Sequence, residues 1–145
     1  MINIEELRIG SFVVDTTSTS NKVIVKILSV SYEGYLIVKN SSKTPTKVLI
    51  ESIEPLIITK DLLSQISDHG VLIKNPRKKN YYFFPNKSET YFLVYDKNED
   101  NYFMGMIDLS LPEKHRRLTR PFYEYHKLQN AFKTVYDLEL KELNI

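Results

Sequence analysis

The residues of this 145-residue chain best suited to chemistry lie in the segment Lys74-Asn75-Pro76-Arg77-Lys78-Lys79-Asn80-Tyr81-Tyr82-Phe83-Phe84, where cations lead into rings. A basic hairpin tip neutralises phosphates while exposed rings stack on unpaired bases, each stack contributing ~1–3 kcal/mol. Lys74, Arg77, Lys78, Lys79, Tyr81 and Tyr82 are therefore candidate contacts for a single nucleic-acid strand. Lys114, Arg116, Arg117 and Arg120 form a second basic cluster further on. Strand alternation weakens the case, because Tyr81 and Phe83 point one way and Tyr82 and Phe84 the other, so at least one pair is expected in the core. Residues 71–88 carry five cations and no acid. With all five on phosphates the logarithmic salt slope would be only about −3.5, a modest affinity. A solvated hairpin tip is the simpler reading.

Other constellations fail on spacing. His69, His115 and His126 stand alone, with no H-x-x-H pattern to put two metal ligands on one face. Asp96-x-Asn98-x-Asp100 matches the first oxygen positions of a calcium loop, but Asn101 stands where Gly is needed and Ile107 where the bidentate Glu belongs, so a polar hairpin turn is expected. Glu139-Leu140-Lys141 fits the E-x-K fragment of metal-dependent nucleases, yet it lies beside a predicted surface helix and reads as solvated charge. Four scattered glycines build no phosphate-cradling loop, and there is no G-x-S-x-G elbow. No enzyme activity and no cofactor are expected.

A chain of 17.0 kDa with 42% hydrophobic residues builds a core without staples, and with no cysteine it has no disulfide or thiolate chemistry. The net charge of +2 marks neither a nucleic-acid-coating protein nor an acidic mimic. Residues 1–70 carry seven cations against eight acids, and residues 71–145 thirteen against ten, so the basic excess is in the second half. No uncharged run exceeds seven residues, far short of the ~18 of a membrane helix. The start Met1-Ile2-Asn3-Ile4-Glu5-Glu6 is acidic and lacks an apolar leader core, which places the expected site of action in the cytoplasm.

These side chains need elements to hold them, and the pattern predicts an α+β fold. Asn3 and Glu6 have capping-box spacing, predicting a helical turn at 4–8. Val-, Ile- and Tyr-rich runs between turn-forming stretches predict strands at 11–15, 22–31, 35–39, 46–50 and 53–58. Five short strands in this span suit a small SH3-like antiparallel barrel lobe over residues 1–58. Residues 59–145 then form a second lobe. Thr59 as N-cap, Asp61 in the first turn and Leu62, Leu63 and Ile66 as an apolar stripe predict a helix over 60–69 ending at Gly70. Runs at 71–74, 81–84, 91–95 and 102–107 predict an antiparallel meander. After a basic connector, Pro121 marks a helix start, and Phe122, Tyr125, Leu128, Phe132, Val135 and Leu138 form a stripe on a helix over 121–137. Its wet face is expected to carry Glu124, His126, Lys127, Asn130 and Lys133.

Three segments, Glu5-Glu6-Leu7-Arg8-Ile9-Gly10, Ile53-Glu54-Pro55-Leu56-Ile57-Ile58-Thr59 and His126-Lys127-Leu128-Gln129-Asn130, together resemble a family of short uncharacterised proteins common in Bacteroidetes genomes, prophages and phages. Its members open with an E-L-R-I-G-N-like clip, pass through I-x-P-I-x-L-T into a helix, and close with H-x-L-Q-N and A-L-T-G-x-E-L. Ser11 departs from the family's Asn, and Val135-Tyr136-Asp137 from its Leu-Thr-Gly-like turn. The resemblance implies a phage or prophage setting and no particular activity. His126, Asn130 and Lys133 then read either as residues that dock the last helix on the meander or as a partner-binding face. The expectation is a non-enzymatic accessory or adaptor module that binds a macromolecular partner, a protein first and single-stranded nucleic acid as the alternative.

Overall fold

The computed structural model describes residues 2–18, 20–31, 33–40, 44–67, 73–74, 81–83, 91–112, 115–140, 142–143 and 145; at 67, 73, 74, 81 and 83 only the backbone is described. The chain divides into two units. Residues 1–57, 124–129 and 143–145 make the first, and 58–123 and 130–142 the second.

In the first unit, β1 (Phe12–Asp15), β2 (Val23–Val30), β3 (Tyr35–Lys39), β4 (Thr46–Leu49) and β5 (Ile53–Pro55) form one antiparallel sheet in the order β4-β3-β2-β1-β5. The sheet is curled into a half-barrel. A register shift between Ile27 and Ser29 of β2, against Val38 and Ile37 of β3, inserts Leu28 as a bulge that strengthens the bend. Alternation sorts the faces. Val13, Val25, Ile27, Leu36, Val38, Val48 and Ile53 point to one side, and with Ile2 and Leu7 they form a buried core. Each such burial is worth ~1.5–3 kcal/mol. The first turn is shorter than its capping pattern predicts: Asn3 accepts from the Glu5 amide at 3.0 Å, and the 3-10 turn covers only Ile4–Glu6.

The second unit contains α1 (Lys60–Ser67) and a sheet of β6 (Ile73–Lys74), β7 (Tyr81–Phe83), β8 (Tyr91–Asp96), β9 (Asn101–Ile107) and β10 (His115–Arg117), in the order β10-β9-β8-β7-β6. The Thr59 hydroxyl caps α1 by accepting from the Leu62 amide at 3.2 Å, and Leu62, Leu63 and Ile66 are buried. Its predicted end at Gly70 lies outside the described residues, as do parts of the predicted strands at 71–74 and 81–84. The calcium-like segment is a hairpin turn, with Asp96 accepting from the amides of Asn98 and Glu99.

Three expectations are corrected at the end of the chain. The basic connector contains a strand, β10, held by backbone pairing of Arg116 with Met106 and Arg117 with Gly105. The chain stays beside β9 beyond it: Leu118 donates to Met104, the Thr119 hydroxyl stands in for a carbonyl by accepting from the Met104 amide at 3.0 Å, and Phe122 exchanges two backbone bonds with Tyr102. Phe122 is therefore extended, and α2 (Tyr125–Tyr136) begins four residues past Pro121. Its supposed wet face is partly dry as well, since Glu124 and His126 are buried.

Candidate functional site

Polar side chains converge where the N-terminal clip meets residues 124–129 in the first unit. Gly10 takes φ +94°, a conformation costly to any residue with a Cβ, and this tight turn aims the backbone of residues 8–12 at α2. Gln129, 3% exposed, closes the gap: its Oε1 accepts from the Phe12 amide at 2.9 Å and its Nε2 donates to the Gly10 carbonyl at 2.9 Å. Arg8 donates from Nη2 to the Gln129 carbonyl at 3.2 Å, and the Ser11 hydroxyl accepts from the Arg8 amide. Phe12 packs edge-on against Tyr125, ring centres 6.2 Å apart.

Beside this clamp lies a charged group. Lys127 Nζ is 3.6 Å from Glu6 Oε2 and 3.4 Å from Glu124 Oε2. His126 Nε2 is 3.5 Å from the same Glu6 oxygen, an ion-pair distance beyond good hydrogen-bond geometry. The His126 ring is 1% exposed and burial lowers its pKa from 6.5, against the opposing pull of Glu6 and Glu124. The Tyr125 hydroxyl is buried with no hydrogen-bond partner among the described residues, and burial raises its pKa. A ring this enclosed offers no open face to a substrate.

The predicted basic site is divided. Arg77, Lys78 and Lys79 lie outside the described residues, as do the side chains of Lys74 and Tyr81 and the whole of Lys114. Tyr82 is half-buried, and that burial raises its pKa. Lys74 stands on β6 and Arg116 and Arg117 on β10, the opposite edges of one five-stranded sheet. Arg116 is paired with Asp108 at 2.8 Å, and Arg117 lies 3.6 Å from Asp96 and 4.4 Å over the Phe103 ring. Arg120 is exposed. Asn130 is half-buried and accepts through its carbonyl from the Thr134 hydroxyl, while exposed Lys133 faces Asp137 at 3.5 Å.

One apolar side chain is presented outward by its own turn. Leu109, 79% exposed, follows β9 between Asp108 and Ser110. Asp108 Oδ1 accepts from the Ser110 amide at 3.1 Å and from its hydroxyl, and Oδ2 accepts from Arg116. The Ser110 hydroxyl bond is the main reason the Asp108 pKa is lowered.

No protein-family model, curated protein or solved structure matches the chain. The site is described by its residues alone. Sequence reasoning named His126 but missed Glu6, Arg8 and Gln129 beside it. Their one signal was that two of the three resembling segments, 5–10 and 126–130, are the segments that meet. Among the described residues no helix is long and apolar enough to cross a membrane.

Proposed function

We propose that this chain is a non-enzymatic binding module that holds a protein partner through an apolar contact centred on Leu109. The observation that carries the reading is the turn beneath that residue. A leucine 79% exposed, on a loop fixed by Asp108, Ser110 and Arg116, meets a partner pocket with its conformational cost already met. The polar side chains beneath it are engaged with one another, which supports recognition over turnover.

The scaffold reading is a small SH3-like barrel lobe, supported by the strand order β4-β3-β2-β1-β5 and by the 3-10 turn Ile50–Ser52 before the last strand. A phage- or prophage-type accessory role in the cytoplasm of a bacterial host is supported by the 5–10 and 126–130 motifs and by their pairing through Gln129. Single-strand nucleic-acid binding is the weaker reading, because Arg116 and Arg117 already face carboxylates.

The test is capture from a Bacteroidetes lysate by immobilised chain and by Leu109→Asp, with bound proteins identified by mass spectrometry. A protein retained by the first and lost from the second is expected. Equal retention by both, or nothing above background, would overturn the reading.

A further inference from the structure

Residues on either side of the β1–β2 and β3–β4 connections border a cavity of about 350 Å³ in the first unit, part of whose lining, Val25 and Val38, belongs to the buried core. Val23, Val25 and Val38 give it an aliphatic surface. Around them stand hydroxyls and side-chain amides, Thr17 and Asn21 among them, and a single charged side chain, Asp15, among the described lining residues.

The Asp15 carboxylate is held in place. Thr17 donates to Oδ1 twice, from its amide at 2.9 Å and from its hydroxyl at 2.6 Å. No hydrogen bond or ion pair engages Oδ2 among the described residues. A negative group with hydroxyl oxygens over a strip of methyl groups complements a donor-only cation on a methylene stem. An anionic ligand would meet Asp15, and a flat aromatic ligand would find no ring to stack on among the described lining residues. The volume is in the usual range for a small-molecule site, ~300–1,000 Å³.

The geometry points to a binding site for a primary aliphatic ammonium, its head on Asp15 and its stem along Val23, Val25 and Val38. The ammonium comes either from a lysine of a partner protein or from a free alkylamine. The site lies in the first unit and Leu109 in the second, so either reading can fail without the other.

The experiment follows the methyl resonances of Val23, Val25 and Val38 in the full chain during titration with n-pentylamine, n-pentanol and Nα-acetyl-lysine methylamide. Saturable shifts with pentylamine, at least about tenfold weaker with pentanol and with pentylamine added to Asp15→Asn, are expected. Asparagine keeps the Oδ1 acceptor for Thr17 and removes only the charge. Tighter binding of the lysine derivative than of pentylamine supports a partner's side chain as the source, and the reverse order supports a free amine. Absence of saturable shifts, equal affinity for pentanol and pentylamine, or an undiminished affinity in Asp15→Asn would overturn the site. If the variant does not fold, the pentanol comparison on the unaltered chain decides.

Discussion

Gln129 holds the Gly10 carbonyl from 119 positions away in the chain, and the same side-chain amide takes the Phe12 amide on its other atom. A glutamine carries one acceptor oxygen and two donor hydrogens on a planar group, so it completes a strand's hydrogen bonding on both sides of one residue. Ser11, fully buried, is the residue it straddles.

Gln129→Ala leaves the buried Phe12 amide and the part-buried Gly10 carbonyl without this partner. Each orphaned group costs ~1–3 kcal/mol, so the unfolding free energy is expected to fall by about 3 kcal/mol. Urea denaturation measures it. A loss below ~1 kcal/mol would mean that the turn at 8–12 holds itself.

His126 sets a pH dependence. Burial lowers its folded pKa below the unfolded value, so between the two the unfolded chain binds more protons than the folded one. Its contribution is intact above about pH 6.5 and is lost as the pH falls through that value toward the folded pKa. Glu6 and Glu124 oppose the loss, and Lys127 adds to it. Urea midpoints at about pH 7.5 and about pH 5.5 should differ more for the unaltered chain than for His126→Gln. Identical differences would remove His126 from the account.

Tyr125→Phe is expected to stabilise the protein. The ring is fully buried and packs on Phe12, while its hydroxyl has no hydrogen-bond partner among the described residues. Removing an unpaired buried hydroxyl and keeping the ring should raise the unfolding free energy by about 1 kcal/mol. A clear drop in thermal midpoint would show that the hydroxyl is bonded in solution.

Asp137 ends α2 with φ +54°, and its amide donates to the Lys133 carbonyl at 2.8 Å. This is the left-handed helix end that glycine adopts without Cβ strain. Asp137→Gly should therefore gain about 0.5 kcal/mol, since the Lys133 contact it removes is solvent-exposed and weak. A lower urea midpoint in the variant would contradict this.

The strands of the first unit are legible because Val, Ile and Leu alternate between turn-forming runs. β10 was not legible. His115-Arg116-Arg117 has no apolar alternation, and what holds it is backbone pairing with β9, a partner no local pattern names. The start of α2 misled for a related reason. Phe122 has helical spacing to Tyr125, yet its two bonds to Tyr102 outweigh one further turn of helix. The polar cluster was half visible: His126 was named for its motif, whereas Gln129 bonds to main-chain atoms that no residue type advertises. The Asp15 cavity is lined by residues as far apart in the chain as Asp15 and Thr46, and only folding brings them together.

Residues 2–57 leave the ribosome long before residues 124–129, yet both belong to the first unit. Until the late segment arrives, the Phe12 amide and the Gly10 carbonyl lack the Gln129 contacts that complete them. The nascent N-terminal sheet therefore waits with one surface unfinished, and synthesis order itself makes that surface a target for chaperones or for premature pairing with a neighbouring chain.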